Sequence, residues 1–373
     1  MRQILWLLLL GVEIGLTGCA DLGYYQQAAA GQWALLQARQ PVVELLSDPT
    51  TPADLRQRLA TAQALRAFAS AELDLPDNGS YRSYADLHRP FVVKNVFAAP
   101  ELSLEPRQWC FWFVGCLSYR GYFDADAAQQ LAEQLRASGD DVYVADIPAY
   151  STLGWFDDPL LNTFIRWPRA RVAELLFHEL AHQKLFIADD AAFNEAYATA
   201  VGRLGTERWL AQYGTTREQE DYRNDYRRRQ DFLQLLTATR AQLAALYDSP
   251  ADDAAKRTAK ARIFAELRDR YRHMKPDWGG YAGYDRWFEQ DLNNAKLAGH
   301  STYYRLVPAF LALYQREGQD FAAFHRAATA LGQQPPAERA TQLQALLEQP
   351  VESVPKTARI ADPDPGKHLS GTL

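Results

Sequence analysis

The feature that most constrains this chain is the segment 171–202, in which His178, Glu179 and His182 form an H-E-x-x-H motif. Apolar residues recur around the motif at helical spacing, at Val172, Leu175, Leu176 and Leu180. This pattern predicts one helix that carries all three motif residues. Positions i and i+4 of a helix lie one above the other, so both imidazoles point from the same face. A zinc ion needs such a pair of ligands, and Glu179 is placed to take a proton from a water molecule that the metal activates.

A second helix is predicted to supply a third protein ligand. The loop Ile187–Ala191 contains Asp189 and Asp190, and either aspartate can cap a following helix that carries Glu195. Two antiparallel helices joined by this short loop would bring Glu195 opposite the histidines. Two histidines and one glutamate leave a fourth position open for water, as in catalytic rather than structural zinc sites.

The alternative interpretation of the motif is a surface helix that carries two histidines and a glutamate by coincidence. The chain contains only seven histidines, so a chance occurrence of the motif has odds on the order of one in a hundred. The motif also lies in an apolar helix, where unpaired polar groups would cost free energy. Both observations favour the metal site.

Four stretches of the sequence, FHELAHQ, FNEAYA, SYRGYFD and AYSTLGWFDDP, resemble a family of bacterial lipoproteins described as aminopeptidases. The resemblance covers most of residues 20–315. More broadly, an H-E-x-x-H helix followed by a helix with Asn194-Glu195 is similar to the gluzincin metallopeptidases. The resemblance implies a zinc-dependent peptidase with one zinc ion per chain, held by His178, His182 and Glu195.

Two departures from the thermolysin-like pattern affect this assignment. The spacing from His182 to Glu195 is shorter than in those enzymes, so Asp189 and Asp190 remain alternative third ligands. Thermolysin-like enzymes also tend to carry an aspartate one turn after the glutamate, where it orients a histidine, whereas this chain has Thr199 there. The groups that orient the ligands are therefore not assigned from the sequence.

The composition excludes one class of partner. The 373 residues are 47% hydrophobic and 23% charged, which is ordinary for a globular chain with a large core. The formal net charge of -6 gives no basic face that could bind nucleic acid. We therefore expect no nucleic-acid partner.

The N-terminus has the features of a secretory signal peptide. Arg2 precedes the apolar run Ile4–Leu10, and the sequence LTGC ends at Cys19. This ending resembles a bacterial lipobox, which implies that Cys19 is acylated and anchors the chain to a membrane. Because Ala20 follows the cysteine rather than an aspartate, the expected location is the periplasmic side of the outer membrane. An ordinary cleaved signal and an uncleaved anchor are the alternatives.

The other two cysteines, Cys110 and Cys116, lie in a segment expected to form a strand over Trp109–Tyr119. A single straight strand would hold the two sulfur atoms too far apart to bond. A turn near Gly115 would permit a disulfide. We favour the alternative, in which both cysteines are buried apolar fillers.

The remaining pattern predicts an α+β fold that is mostly helical, with a small mixed sheet next to the H-E-x-x-H helix and a long helical hairpin. Besides Trp109–Tyr119, strands are expected at Phe91–Val96 and Asp141–Ile147. Helices are expected at Tyr24–Leu46, Pro52–Leu73, Ala125–Ser138, Arg217–Leu246 and Asp252–Met274, with a terminal helical pair over 319–348.

These elements divide the chain into five segments. They are a lipoprotein signal peptide (1–18), an N-terminal helical segment (19–80), the sheet with the zinc-site catalytic core (81–205), a helical domain that completes the cleft (206–348) and a disordered tail (349–373).

The segment before the metal helix is a candidate for substrate binding. In gluzincins a strand in this place lies at the edge of the sheet and pairs with the substrate backbone. The resemblance assigns this role to Ala149, Tyr150, Ser151, Thr152 and Gly154. A plain loop over the start of the helix is the alternative.

Further candidates are an oxyanion donor and an acidic group for the amine of the substrate. A zinc peptidase needs a hydrogen-bond donor for its oxyanion, for which we select Tyr303 and Tyr304, with His300 behind them. The tyrosines could equally be core residues. For an amine, Asp146, Asp157 and Asp158 are candidates that their spacing does not separate. The basic run Arg227–Arg229 lies among acidic residues and predicts a solvated helix face.

The sequence as a whole predicts zinc-dependent hydrolysis of a peptide substrate, with Glu179 as the base. One alternative is a non-catalytic envelope lipoprotein that binds partners through its helical hairpin. Another is an endopeptidase or cell-wall amidase that uses the same chemistry.

Overall fold

The computed structural model describes residues 22–111, 115–149, 151–301 and 305–348. Most of these residues are helical and the strands are short, so the protein has the predicted α+β fold. The predicted signal peptide with Cys19 and the predicted tail 349–373 lie outside the described residues. No described helix is long and apolar enough to cross a membrane.

Helices and strands are numbered here in chain order. The α-helices are α1 (22–37), α2 (Val42–Ser47), α3 (Ala53–Glu72), α4 (Ala125–Ala137), α5 (Arg169–Lys184), α6 (Ala191–Tyr213), α7 (Thr216–Tyr247), α8 (Asp253–Met274), α9 (Asp285–Glu289), α10 (Asn294–Ser301), α11 (Val307–Arg316), α12 (Phe321–Gly332) and α13 (Pro336–Leu347). The strands are β1 (Arg39–Pro41), β2 (Ser83–Ala85), β3 (Val93–Pro100), β4 (Trp109–Phe111), β5 (Gly115–Leu117), β6 (Arg120–Tyr122), β7 (Asp140–Ile147) and β8 (Leu160–Leu161).

The described strands form three small sheets rather than the single mixed sheet that was predicted. The first has the order β1-β2-β8 and is mixed, because β2 is antiparallel to β1 and parallel to β8. The second has the order β6-β3-β7 and is antiparallel, with β3 and β7 paired from Val93–Ile147 to Pro100–Asp140. The third is the pair β4-β5.

The predicted strand Trp109–Tyr119 is wrong, because this segment forms two antiparallel strands. Cys110 lies opposite Cys116 in the pair, and the two form a disulfide, so the expectation of two apolar fillers is also wrong. The chain reverses between β4 and β5, and Gly115 has a φ of 74°. Glycine adopts this left-handed conformation without the steric penalty that other residues incur.

The predicted helix Tyr24–Leu46 is interrupted. α1 ends at residue 37, and the strand β1 separates it from α2. Pro41 explains the break, because proline has no N–H and disfavours helical conformation in the residue before it.

The other predicted helices are confirmed, with ends that differ by at most two residues. Side chains cap the starts of α4, α7 and α8. Asp124 accepts hydrogen bonds from two backbone N–H groups at the start of α4, and Asp252 accepts one at the start of α8. Thr215 forms a capping box with Glu218 at the start of α7. The long hairpin of α7 and α8 is therefore present as predicted.

The main hydrophobic core lies between α5 and its neighbours. It joins α3, α5, α6 and α11–α13 with the first sheet. Leu176 and Phe177 of α5 and Phe193 and Tyr197 of α6 are fully buried in it. A second cluster fills the space between α7, α8 and residues 278–297, and a third lies between the β6-β3-β7 sheet and α4. Burial of one face of α5 and α6 in the main core fixes which residues their other faces present.

Candidate metal centre

The helices α5 and α6 pack side by side in opposite directions. Glu195, near the start of α6, lies beside the histidines near the end of α5, whereas Gly202 lies against Glu174 one to two turns earlier in α5. A Cβ atom added at Gly202 would lie 2.8 Å from the carbonyl oxygen of Glu174. Only glycine permits this close approach of the two backbones.

The structure brings His178, His182 and Glu195 together in one group. The two Nε2 atoms are 3.1 Å apart. Glu195 Oε2 lies 3.4 Å from His178 Nε2, and Glu195 Oε1 lies 3.6 Å from His182 Nε2. Ligand atoms of a tetrahedral zinc site, each about 2.0–2.2 Å from the metal, are separated by about 3.3–3.6 Å. The observed separations therefore suit a single bound ion.

The loop between the helices is ordered by Asp190 and Asn194. Asp190 caps α6 by accepting a hydrogen bond from Phe193 N, and it forms an ion pair with Arg339. The buried Asn194 side chain accepts from Ile187 N and donates to Ile187 O, with distances of 2.8 and 2.7 Å. These bonds set the position of Glu195, which follows directly in the chain.

Asp189 and Asp190, which were the alternative third ligands, do not join the converging group. Asp190 is the helix cap, and Asp189 occupies a left-handed position with a φ of 60°. Among the described residues, the side chains that converge as a possible metal site are those of His178, His182 and Glu195. The sequence did not reveal the double hydrogen bond of Asn194, because nothing in its spacing indicates which backbone groups it meets.

Burial determines the direction of the pKa shifts of Glu179 and His182. It raises the pKa of Glu179 to about 7, with the positive charge of His178 opposing and the negative charges of Glu195 and Asp158 adding to the rise. It also lowers the pKa of His182 to about 4, which favours the neutral ring that a metal ligand requires. His182 Nδ1 is buried and has no hydrogen-bond partner among the described residues. No described residue therefore orients this imidazole through a hydrogen bond to Nδ1.

A cleft of about 340 Å³ opens beside the three converging side chains. It is lined by Trp167, Arg171, Glu174, Leu175, His178, Glu179, Glu195, Thr199, Arg229 and Gly299. Most of these residues belong to α5 and α6, so the helix pair forms one wall. Gly299 of α10 and Arg229 of α7 bring two distant parts of the chain to the same cleft.

The prediction that Arg227–Arg229 forms a solvated helix face is wrong for Arg229. Its side chain is only 20% exposed and forms a bidentate ion pair with Glu174, with distances of 2.6 and 3.3 Å. Arg227 is exposed, as predicted. The sequence could not distinguish these arginines, because the partner of Arg229 lies 55 residues away in the chain.

A family described as "Putative aminopeptidase" matches residues 23–343 of the chain. The chain belongs to this family. The matched region contains α5, α6 and every described residue of the cleft, and the family description suggests peptidase activity. No curated protein and no solved structure shows a significant match to the chain.

In this aminopeptidase family member, the segment predicted to pair with substrate does not form a strand. β7 ends at Ile147, and residues 151–158 form an irregular loop. Pro148 cannot continue a ladder of hydrogen bonds, and Leu153 and Gly154 both have positive φ values, 55° and 83°. The segment is therefore a loop, and its Gly154 lies near Gln183 at the end of α5 rather than over the start of that helix.

The side chains of this loop have defined places. Ala149 packs against the main core, and Ser151 and Thr152 donate hydrogen bonds to the Asp158 carboxylate. Gly154 faces Gln183 of α5. Tyr150 lies outside the described residues. A role of these five residues in substrate binding stays a prediction.

The three carboxylates considered for binding an amine do not line the cleft. Asp146 forms an ion pair with Lys94, and Asp157 is exposed. Asp158 is 5% exposed and accepts hydrogen bonds within its own loop. Of the described carboxylates, the cleft contains those of Glu174, Glu179 and Glu195.

The predicted oxyanion donors Tyr303 and Tyr304 lie outside the described residues, as does the side chain of His300. Gly299, one residue before His300, lines the cleft. The assignment of the oxyanion donor stays a prediction.

Proposed function

We propose that this chain is a zinc-dependent aminopeptidase of the bacterial cell envelope. The observation that carries the proposal is the convergence of His178, His182 and Glu195, with Glu179 beside them in an open cleft. The family match supports peptide-bond hydrolysis as the reaction. The lipobox-like sequence ending at Cys19 supports a lipid anchor and a position facing the periplasm, on the outer membrane.

The donor set fits zinc better than other common metals. Two imidazoles and one carboxylate match the three protein ligands of catalytic zinc sites, whereas magnesium and calcium prefer oxygen ligands alone. His178 and His182 offer Nε2 atoms that face each other on the side of Glu195. These three residues would hold the ion.

A zinc ion held there would supply Lewis acidity, which polarises a peptide carbonyl and lowers the pKa of a water molecule. Glu179 accepts the proton of that water and delivers it to the leaving amine. A carboxyl group whose pKa is about 7 can both hold and release a proton at neutral pH. Tyr303 and Tyr304 are the proposed donors to the oxyanion.

The first test is the zinc content of the purified protein. We expect about one zinc ion per chain in the wild type and its loss in His178→Ala. His88→Ala is a matched control, because the side chain of His88 is 88% exposed and lies outside the cleft. Zinc that is retained in full by His178→Ala would contradict the ligand assignment.

The second test separates the possible reactions with peptides of one sequence, unblocked or acetylated at the N-terminus. An aminopeptidase cleaves the unblocked peptide and rejects the acetylated one. Cleavage of both would indicate an endopeptidase, and cleavage of a peptidoglycan fragment alone would indicate an amidase. No hydrolysis by the zinc-loaded protein would favour a non-catalytic lipoprotein.

A further inference from the structure

One arginine side chain that lines the cleft, that of Arg171, forms no ion pair with a described residue. Arg171 of α5 lines the cleft, and its guanidinium forms no hydrogen bond or ion pair with a described residue. Trp167, four residues earlier, lies with its ring centroid 5.8 Å from Arg171 Cζ. This contact holds the guanidinium beside an aromatic face while leaving its N–H groups free to donate.

The carboxylate nearest to Arg171 along the helix is already paired. Glu174, three residues later, is bound by Arg229 through both of its oxygens, at 2.6 and 3.3 Å. The carboxylate of Glu174 therefore lies near two guanidinium groups, and the charge of Arg229 already balances its negative charge. Arg171 leaves an excess positive charge in this part of the cleft.

We propose that Arg171 binds a carboxylate of the peptide substrate and thereby determines which peptides are accepted. This inference rests on the proposed peptidase function and assigns a substrate class to it. The carboxylate is either the C-terminus of a short peptide or the side chain of an acidic residue. A guanidinium is suited to either, because its planar fork of donors matches the geometry of a carboxylate.

The position of Arg171 sets the distance of that carboxylate from the cleaved bond. Arg171 precedes His178 by seven residues, which is two helical turns or about 10.5 Å along the axis. Helical side chains lean toward the N-terminus, so the guanidinium lies farther from the metal centre than its Cα atom does. An extended peptide advances about 3.3 Å per residue. The recognised carboxylate therefore lies three to four residues from the bond at the metal centre.

The test measures hydrolysis of alanine peptides by the zinc-loaded protein. The peptides have three to six residues, and each is made in two forms, with a free C-terminal carboxylate and with a C-terminal amide. We expect kcat/KM to be about tenfold or more higher for the acid than for the amide at the best length, as for a charge-assisted hydrogen bond. Arg171→Gln should bring this ratio close to one, and Arg171→Lys should retain part of it. Amidated peptides with one glutamate at successive positions separate the two sources, since recovery at one position identifies an acidic side chain.

Arg270→Gln serves as the matched control, because Arg270 is exposed on α8, forms no ion pair with a described residue and does not line the cleft. It should keep the wild-type ratio. Equal kcat/KM for acid and amide in the wild type at every length, and for every glutamate position, would overturn the proposal. So would an acid preference that persists in Arg171→Gln.

Binding measurements separate this proposal from the peptidase function. Calorimetry with Glu179→Gln gives the Kd of each acid and amide peptide without requiring turnover. Tighter binding of the acid that disappears in Glu179→Gln/Arg171→Gln supports the role of Arg171 even when the wild type hydrolyses nothing. Equal Kd values for acid and amide at every length, and for amidated peptides with glutamate at every position, overturn it, whether or not the protein is a peptidase.

Discussion

Two pairs of consecutive helices in this chain are built in different ways. α5 and α6 approach so closely that a Cβ atom at Gly202 would lie 2.8 Å from the backbone of Glu174. α7 and α8 are highly charged on their exposed faces and are held apart by large side chains, such as Phe232, Leu236 and Leu267. The first pair carries the candidate metal centre, and the second contributes Arg229 to the cleft.

The difference shows what a metal site requires of its scaffold. Donor atoms must be held to within about 0.5 Å of their working positions, so the ligands must lie on elements that cannot shift. A direct contact between two helix backbones provides that rigidity, because backbone atoms, unlike side chains, cannot move aside by changing rotamer. Helices separated by large side chains can shift relative to each other. Such a shift matters less for Arg229, because its long side chain can compensate for it.

The largest effect is expected from Glu179→Gln in the close pair. The amide keeps the shape of the side chain but cannot accept a proton, so kcat should fall by about 10²- to 10⁴-fold. Zinc content should be unchanged, because the three proposed ligands remain. The measurements are turnover of an unblocked peptide and zinc per chain. Activity within a factor of a few of the wild type would remove Glu179 as the base.

A glutamate of the separated pair provides the control for this substitution. Glu266→Gln changes an exposed residue of α8 that forms an i,i+4 ion pair with Arg262. Such exposed pairs contribute little stability, so neither kcat nor zinc content should change. Equal losses in both variants would mean that the first effect is not specific to the site.

The next effect tests the close backbone contact through Gly202→Ala. The added methyl group meets a carbonyl oxygen that has no rotamer to change, so α6 must move away from α5. We expect a loss of about 1–3 kcal/mol in the free energy of unfolding. Glu195 shifts with α6, and zinc affinity should fall about 10- to 100-fold, as when a group that positions a ligand is lost. Thermal unfolding and competition with a chelator measure the two effects.

Gly23→Ala is the matched glycine control, because no atom of a described residue lies within 4 Å of a Cβ placed there. Residue 23 is helical, and alanine is favoured over glycine in helices, so stability should stay the same or rise by up to about 1 kcal/mol. If Gly202→Ala also leaves stability unchanged or raises it, α5 and α6 can accommodate the added methyl group, and their close contact does not determine the geometry of the site.

The sequence predicted the parts of this site that depend on local geometry. The relation of His178 to His182 follows from the pitch of a helix, and the start of α6 follows from a capping aspartate. The place of Glu195 also needed a short loop between two antiparallel helices, which was predicted from the segment Ile187–Ala191. The disulfide was missed because the pairing of Cys110 with Cys116 depends on a reversal of the chain between them.

The interactions that sequence reasoning missed depend on tertiary contacts or on the shape of a loop. Arg229 meets Glu174 across 55 positions. The run of three arginines gives no sign that Arg228 and Arg229 are largely buried whereas Arg227 is exposed. The double hydrogen bond of Asn194 to Ile187 depends on the shape of the loop rather than on any periodic pattern. The single predicted sheet became three because strand pairing is set by tertiary contacts that propensity does not record.

The smallest effect is expected where the separated pair touches the cleft, in Arg229→Gln. Glu174 then loses its bidentate partner while only 14% exposed, which should cost about 1–3 kcal/mol in the free energy of unfolding. Arg227→Gln removes an exposed neighbour and should change stability by less than about 0.5 kcal/mol. Glu174 also becomes free to pair with Arg171, so Arg229→Gln should weaken the preference for peptides with a free carboxylate. A loss of stability without a change in that preference would mean that Arg171 does not compete with Arg229 for Glu174, and that the excess charge in the cleft has another origin.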